Sequence, residues 1–396
     1  MAAPRTSSQM PAMTLGAASA SRLLLALHRL RLPSAGDRAD RFPPAARLPT
    51  AFAARAALTA ALTDRQQSGA PGWWGNLLQP HTHLGRYELL IPIASGGMAE
   101  VWLARLVGHK GFAKLVAIKT MRRSLEGDPH YERMFVREAT LASQIQHPNV
   151  CAVHELGEDR GRLFMAMQWV EGGSMCDLLH AGGPIDARIA ARIAADACGG
   201  LHATHELRDG GGRPLGPVHL DVSPENILVS VGGTVKMTDF GIARLACVTD
   251  SSRHDWIRGK ASYMSPEQAS GEPVDRRSDV FALGCVLYEA TTGALPFQGK
   301  TLIDVVRAVL NGHFVPPAIV TPNCPRELSR IIEVALAPAP AQRFSTAEEM
   351  QMALETWLVA APLVTQTELR EFVCVRLASS IDANRSRLRA VTALFD

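Results

Sequence analysis

The sequence has no cysteine pair suited to a structural framework and no long apolar run. Its seven cysteines are scattered and none belongs to a Cys-x-x-Cys motif, which argues against a disulfide scaffold or a zinc site. Such cysteines are typical of buried thiols in a reducing compartment, so we expect a cytoplasmic protein. No stretch approaches the roughly 18 uninterrupted apolar residues that a membrane-spanning helix needs. The longest early apolar run, residues 23–27, is short for a signal-peptide core.

Lysine and glutamate are missing from the first 80 residues, which contain nine arginines and three aspartates. The whole chain has a net charge of +3, so the remaining residues are slightly acidic and give no electrostatic reason to expect nucleic-acid binding. Residues 1–83 are rich in Ala, Arg and Pro, and we predict a mostly disordered leader with a short helix near residues 51–62. An organellar transit peptide is the alternative interpretation of this composition.

Strand-like alternation begins near Leu84. Between the third and fourth predicted strands, residues 130–146 place apolar side chains at helical spacing, and Glu138 lies on the same stripe. A buried carboxylate needs a cationic partner, and Lys119, at the end of the third strand, is the candidate. The strands are predicted at residues 87–93, 100–105, 115–119, 150–156 and 163–169.

From about Asp177 onward, long helical patterns replace the strands. A strand-rich half followed by a helix-rich half predicts two packed lobes with a crevice between them. The helices are predicted at residues 185–207, 279–291, 328–336 and 346–359, and one further charged helix at 367–377 precedes a tail.

Five motifs that carry chemistry follow one another along the chain. Glycines let backbone N–H groups approach phosphate oxygens, and Asp and Asn oxygens are ligands that Mg²⁺ prefers. The motifs are Ala94-Ser95-Gly96-Gly97-Met98-Ala99, Val116-Ala117-Ile118-Lys119, His219-Leu220-Asp221-Val222-Ser223-Pro224-Glu225-Asn226, Asp239-Phe240-Gly241, and residues 259–267. In this order, over about residues 86–358, they resemble the eukaryotic-type protein kinases, especially the bacterial serine/threonine branch.

The resemblance implies an α+β fold with two lobes, a small antiparallel-sheet N-lobe with one main helix and a larger, mostly helical C-lobe. The kinase domain is expected at residues 84–360, with the N-lobe at 84–170, the C-lobe at 171–360 and a C-terminal helical extension at 361–396. The implied activity is Mg²⁺-dependent transfer of the γ-phosphoryl group of ATP to a serine or threonine of a protein substrate in signalling. The sequence indicates neither this substrate nor an oligomeric state.

The same resemblance implies roles for individual residues. Asp221 would be the base that accepts the hydroxyl proton, and Lys119, paired with Glu138, would hold the α- and β-phosphates. Asn226 and Asp239 would be magnesium ligands. The implied ATP-binding residues are Ile93, Ala94, Ser95, Gly96, Gly97, Met98, Ala99, Glu100, Val101, Ala117, Lys119, Met167, Gln168, Val170, Leu228 and Asp239.

The resemblance also implies three residues that position the activation segment and the catalytic loop. Glu267 and Arg343 resemble the buried ion pair that ties the activation segment to the late helices. Asp279 resembles the residue that braces the catalytic loop (residues 219–226), although a carboxylate in the first turn of a helix also stabilises the helix dipole.

The chain departs from the kinase pattern at the catalytic loop and the activation segment. Leu220 stands where many kinases have an arginine that grips a phosphorylated activation segment, so gating by phosphorylation is less expected here. Ser223 replaces a usual lysine, and Lys260 replaces a usual threonine. We hypothesise that Lys260 is a catalytic residue that supplies the ammonium group which Ser223 lacks. A lysine that only contacts substrate or solvent is the alternative.

Two other functions stay open at the level of sequence. A pseudokinase scaffold would explain the replacement of two phosphate-loop glycines by Ala94 and Ala99, together with Leu220 and Ser223. A tyrosine-directed kinase would also explain Ser223, although the catalytic loop lacks the Ala/Arg pattern typical of that class.

Overall fold

The computed structural model describes residues 78–241 and 260–393 of the chain. Most of the predicted leader, including its helix near residues 51–62, and the greater part of the activation segment lie outside these ranges. Within them, no helix has both the length and the apolar character needed to cross a bilayer.

One antiparallel sheet forms the N-lobe. Its strands are β1 (His83–Leu84), β2 (Tyr87–Ser95), β3 (Ala99–Val107), β4 (Ala113–Met121), β5 (Val153–Asp159) and β6 (Arg162–Gln168). They lie in the order β1-β2-β3-β4-β6-β5. The last six residues of β4 are all buried, because this central strand is covered on both faces. The five predicted strands are confirmed, and β1 adds a short edge pair to β2.

Helix α1 (Pro129–Gln144) contacts this sheet and confirms the predicted helix to within two residues. Asp128 caps it by accepting a hydrogen bond from the N–H of His130 at 2.8 Å, and Pro129 occupies the first position, where no N–H is needed. Glu138 is half-buried on the side of the helix that faces the cleft. The buried residues of the helix are Met134, Phe135, Ala139 and Ala142.

The described part of the C-lobe and its extension contains ten α-helices and a small sheet. The helices are α2 (Met175–Gly182), α3 (Ala187–His205), α4 (Pro266–Ser270), α5 (Arg276–Thr292), α6 (Leu302–Asn311), α7 (Pro317–Val320), α8 (Arg326–Ala335), α9 (Ala347–Ala360), α10 (Gln366–Arg376) and α11 (Ala378–Thr392). The sheet consists of β7 (Gly172–Ser174), β8 (Ile227–Ser230) and β9 (Val235–Met237). Its first strand follows the hinge between the lobes, residues 169–171, which connects β6 to β7.

Helix α5 lies at the centre of the C-lobe core. Thirteen of its 17 residues are buried, so its apolar side chains occur all round rather than on one stripe. The side chain of Asp275 caps its first turn, and Gly293 ends it in a left-handed conformation with φ 74°. This internal helix therefore provides a rigid support for Asp279, which it carries in its first turn towards the catalytic loop.

The C-terminal extension has one helix more than the sequence predicted. The tail expected after residue 377 is helix α11, which follows α10 directly. Four apolar residues of these helices and their junction belong to the C-lobe core, and Arg385 forms an ion pair with Glu171 of the hinge at 2.8 Å. The pattern of α11 is weak because Ile381 is its only buried residue. The four core residues are Leu369, Val373, Leu377 and Ile381.

Candidate active site

The turn between β2 and β3 carries the small-residue motif to the rim of the interlobe cleft. The N–H of Gly96 donates to the carbonyl of Ala99 at 2.9 Å, which closes the turn. Arg122, just after β4, holds it from the side: Nη2 donates to Oγ of Ser95 at 2.8 Å, and the backbone N–H donates to the carbonyl of Met98 at 2.9 Å. These bonds order this turn, residues 94–99, which we call the phosphate loop, although it contains fewer glycines than is usual in kinases.

Lys119 forms two ion pairs at the inner end of the cleft. Its Nζ donates to Oε1 of Glu138 at 2.6 Å and to Oδ1 of Asp239 at 2.7 Å. Burial opposes the charge of the ammonium group, but the two carboxylates outweigh it and raise the pKa of Lys119 above its ordinary value. Burial likewise opposes the charge of Asp239, and Lys119 holds the pKa of that carboxyl below its ordinary value. The predicted pairing of Lys119 with Glu138 is thus confirmed.

Asp279 braces the backbone of the catalytic loop, as predicted. Its Oδ2 accepts from the N–H of His219 at 2.7 Å, and its Oδ1 accepts from the N–H of Leu220 at 2.8 Å. The imidazole of His205 lies 2.8 Å from the same Oδ2. Leu220 has a left-handed backbone with φ 64°, which is unfavourable for a leucine. One buried carboxylate that accepts two backbone hydrogen bonds therefore stabilises a strained loop.

His219 packs under the loop as a neutral side chain. Its ring lies 4.8 Å from the ring of Phe240, and its Nε2 lies 3.2 Å from the carbonyl of Thr238. Burial lowers the pKa of His219 to about 4, so it carries no charge at neutral pH. Its role is packing and hydrogen bonding between the catalytic loop and the strand that leads to Asp239.

Asp221 is hydrogen-bonded to two polar side chains. Nδ2 of Asn226 donates to its Oδ2 at 2.8 Å and to its backbone carbonyl at 2.7 Å. Nζ of Lys260 donates to the same Oδ2 at 2.8 Å and to Oγ of Ser223 at 3.2 Å. Lys260 thus reaches the catalytic loop from the activation segment, 39 residues away along the chain.

Gly241 allows the Asp239-Phe240-Gly241 segment to approach the catalytic loop. Asp239 has a left-handed backbone with φ 57°, and Phe240 is buried against Ile145 and Val150. A Cβ on Gly241 would lie 2.4 Å from Cβ of Asp221, a distance that real Cβ atoms do not adopt. The absence of a side chain at this position therefore lets Gly241 lie directly against Asp221.

Replacing Gly241 with alanine is expected to displace Asp221, which the resemblance to kinases implies is the base, and to lower turnover by about 10²-fold, because misplacing a catalytic group by ~1 Å has an effect of that size. Initial-rate kinetics of phosphoryl transfer measure this loss. Gly210→Ala is the matched control, since a Cβ at Gly210 meets nothing within 4 Å. Equal turnover in the two variants would show that the close contact between Gly241 and Asp221 is not needed for activity.

Glu267 and Arg343 form the predicted buried ion pair between α4 and the segment before α9. Nη1 of Arg343 donates to Oε1 at 2.7 Å and Nη2 donates to Oε2 at 2.9 Å, a bidentate geometry. Ser278 adds a hydrogen bond to Oε1 at 2.6 Å. Burial opposes the charge on Glu267, but the donors from Arg343 and Ser278 outweigh it and lower its pKa. The pair joins the end of the activation segment to the C-lobe core.

A cavity of about 350 Å³ lies between the phosphate loop, α1 and the catalytic loop. Twelve of the residues predicted for the site line it: Ala94, Ser95, Gly96, Gly97, Met98, Ala99, Val101, Lys119, Glu138, Asn226, Asp239 and Lys260. Asp221 is not among the lining residues, but it is hydrogen-bonded to two of them, Asn226 and Lys260. The polar half of the predicted site is therefore brought together in one place.

The remaining predicted residues lie outside the lining of this cavity. Ala117 pairs with Met167 across β4 and β6, and both belong to an apolar cluster that Val101 and Val170 also contact. Leu228 lies in β8 opposite Ser174. Ile93 and Glu100 lie in the β2–β3 hairpin, and Gln168 ends β6.

Several residues of the cavity were not predicted as site residues. Most of them are apolar side chains of α1 and of the end of β4, on the helix side of the cavity. The apolar stripe of α1 was visible in the sequence, but nothing in it shows that part of a core-like stripe faces an open cavity. These residues are Met121, Leu125, Tyr131, Met134, Phe135, Glu225 and Phe240.

Comparison with known proteins establishes the family. A profile described as the protein kinase domain matches residues 87–356, so this chain belongs to the protein kinase family. The kinase domain of PknI from Mycobacterium tuberculosis, as a crystal structure of a mutant, superposes with a TM-score of 0.53 at 25% identity over 71% of this chain and 99% of that chain. The two-lobed kinase fold predicted from the motifs is confirmed.

Two curated relatives show how much of a longer protein the chain matches. It is 41% identical to tyrosine-protein kinase MasK of Myxococcus xanthus over 286 residues, which are 71% of this chain and 44% of MasK. It is 41% identical to serine/threonine-protein kinase PknB of Mycolicibacterium smegmatis over 273 residues, which are 67% of this chain and 42% of PknB. The chain therefore matches less than half the length of these relatives.

Proposed function

We propose that this chain transfers the γ-phosphoryl group of ATP to a serine or threonine hydroxyl of another protein. The observation that carries the proposal is a single cleft that combines two charged clusters. Lys119 is paired there with Glu138 and Asp239, and the Asp221–Asn226 hydrogen bond adjoins them. A lysine held by two carboxylates suits a triphosphate, and a buried carboxylate beside it suits a hydroxyl group that must lose its proton.

In the proposed reaction the acceptor oxygen forms a bond to the γ-phosphorus, and the bond from this phosphorus to the β–γ bridging oxygen breaks. ADP leaves with the bonding electrons, and the hydroxyl proton passes to the carboxylate of Asp221. Lys119 holds the α- and β-phosphates, and the backbone N–H groups of the phosphate loop cover them. Catalysis then consists mainly of positioning and charge stabilisation.

The donor set in the cleft fits Mg²⁺. Asn226 uses its amide nitrogen on Asp221, which leaves its amide oxygen as a metal donor, and Asp239 has Oδ2 besides the Oδ1 that accepts from Lys119. Among the described residues no group of three or more His, Cys, Asp or Glu could hold a metal alone. This agrees with Mg²⁺, which typically takes one or two protein carboxylates and completes its shell with phosphates and water. Bound there, it would neutralise phosphate charge.

We propose that the adenine ring lies between the lobes against the hinge, in the apolar region formed by Ala117, Met167 and Leu228. The N–H of Gln168 already donates to the carbonyl of Ala152 at 2.8 Å. Its own carbonyl accepts a weak bond from Sγ of Cys151 at 3.4 Å, and its second lone pair is the one that would accept from adenine. The backbone of Val170 supplies the second hydrogen bond. Ile93 closes the opposite side, because it precedes the phosphate loop in β2.

Tyrosine is the second candidate acceptor. MasK, which is named a tyrosine-protein kinase, is as similar to this chain as PknB, which is named a serine/threonine-protein kinase. Ser223 also removes the lysine that usually marks the serine/threonine class. Serine or threonine is favoured, since the catalytic loop lacks the Ala/Arg pattern of tyrosine kinases and several further relatives carry the serine/threonine name.

The pseudokinase alternative is not favoured, because Lys119, Glu138, Asp221, Asn226 and Asp239 are all present and arranged within or beside one cleft. The protein substrate and oligomeric state are not indicated. A reducing, cytoplasmic location stays our proposal, in keeping with the six cysteines among the described residues, all of which are free.

The purified protein, incubated with Mg²⁺ and γ-labelled ATP, is expected to label itself or a generic substrate such as casein, and to yield phosphoserine or phosphothreonine on acid hydrolysis. Chelation of Mg²⁺ is the control and should abolish the labelling. Phosphotyrosine alone would establish the second candidate acceptor. Nucleotide binding without any transfer would contradict the proposed activity and favour a scaffold.

A further inference from the structure

Lys260 occupies a position beside the proposed base that the general kinase scheme does not explain. Its side chain is 13% exposed, and its Nζ contacts Oδ2 of Asp221 at 2.8 Å, Oγ of Ser223 at 3.2 Å and Oε2 of Glu225 at 3.3 Å. Asp221 is more deeply buried, with a side chain 7% exposed. A buried lysine held by three catalytic-loop residues is not a solvated surface residue.

The cleft has two cations, and they serve different ends of it. Among the described residues that line the cavity, Lys119 and Lys260 are the only basic side chains. Lys119 is held by Glu138 and Asp239 at the inner end. Lys260 is held on the side of the catalytic loop, next to the carboxylate that would take the proton of the acceptor hydroxyl.

We propose that Lys260 is the cation that stabilises the γ-phosphoryl group during transfer, with the hydroxyl of Ser223 positioning its ammonium group; this rests on the proposed kinase function. Before the reaction the charge of Lys260 is balanced by Asp221. When the carboxylate accepts the proton of the acceptor hydroxyl, it becomes neutral, and the field of the ammonium group then acts on the phosphoryl oxygens. The interaction is therefore stronger in the transition state than in the ground state, which is the condition for raising turnover.

Ser223 and Lys260 act as one unit in this arrangement. Two loops, 37 residues apart along the chain, bring a hydroxyl and an ammonium group to 3.2 Å from each other. Exchanging the two functional groups between the loops would leave the ammonium group in nearly the same place. The proposal therefore predicts that the lysine works from either loop.

The test compares Lys260→Thr with the double variant Lys260→Thr/Ser223→Lys in steady-state kinetics. The single variant is expected to lower kcat by about 10²–10³-fold, the usual effect of removing one transition-state donor, with a much smaller change in the KM for ATP. The double variant is expected to recover at least about tenfold of this loss. Lys300→Thr, at an exposed lysine far along the chain, is the matched control and should keep the wild-type kcat.

Unchanged kcat in Lys260→Thr, or a loss that the double variant does not recover, would overturn the inference. A Lys260→Thr variant that loses nucleotide affinity and Tm together with kcat would also overturn it, since losses in all three indicate a structural role. If Lys260→Thr folds poorly, Lys260→Met, which keeps the alkyl chain, carries the same comparison with its own Ser223→Lys partner. An inactive wild-type chain would refute the proposed function itself, whereas an active wild type with a fully active Lys260→Thr refutes only the inference.

Discussion

Asp221→Asn is expected to lower kcat by about 10²–10⁴-fold, the contribution of a general base, while the KM for ATP changes little. The asparagine oxygen can still accept from Asn226 and Lys260, so the loop geometry should persist. Only the ability to take the proton of the acceptor hydroxyl and the negative charge are lost. Initial-rate kinetics with saturating protein substrate measure the effect.

Asp209→Asn is the matched control for this variant. Asp209 lies in the exposed Gly-rich loop before the catalytic loop, where it accepts from the backbone N–H of Gly211 and Arg213. Asparagine can keep these bonds, so kcat and Tm should stay at the wild-type values. A wild-type kcat for Asp221→Asn would show that Asp221 is not the general base, and another residue would then have to accept the proton.

Arg343→Met is expected to lower the free energy of unfolding by about 3–5 kcal/mol, because it leaves Glu267 buried without a counter-charge. The side chain of Arg343 is 0% exposed, and it also donates to the carbonyls of Ala337, Arg277 and Pro338. Urea unfolding followed by circular dichroism measures the change. Adding Glu267→Gln to this variant should recover part of the loss, since the buried charge is then removed.

The exposed ion pair between Arg276 and Glu206 is the control for burial. Arg276→Met should change the free energy of unfolding by at most about 1 kcal/mol.

The pH dependence of stability gives a second check on the Glu267–Arg343 ion pair. The lowered pKa of Glu267 stabilises the fold fully above the ordinary glutamate pKa of about 4.3, and this stabilisation is lost as the pH falls through the lowered folded-state value. On acidification, the double variant Arg343→Met/Glu267→Gln should therefore lose less free energy of unfolding than the wild type does. An equal loss in the two proteins would contradict the stabilising role of the Glu267 charge.

Charged residues that needed partners were the most predictable part of the site. Glu138 lies on an otherwise apolar helical stripe, and the cost of burying it alone pointed to Lys119, which the structure places 2.6 Å away. The need for a partner of opposite charge can be predicted from residue type and spacing, because an unpaired buried charge is costly in any fold.

Backbone conformations imposed by tertiary contacts could not be predicted. Leu220 and Asp239 adopt left-handed φ values of 64° and 57°; this is unfavourable for leucine, and aspartate adopts it only as a minority conformation. The bonds from Asp279 and the ion pair with Lys119 hold them there. Helix α11 was missed for a related reason, because a helix with a single buried residue has almost no apolar periodicity.

Residue types and their order were thus enough to predict the family and the two lobes, which are confirmed, and to propose the chemistry of the cleft. The structure alone decided that Lys260 reaches Asp221 and Ser223, that Gly241 abuts Asp221, and that the polar residues share one cavity. The reason is physical. Local propensity and periodicity act within a few residues, whereas the distance between side chains on separate loops depends on how the whole core packs beneath them.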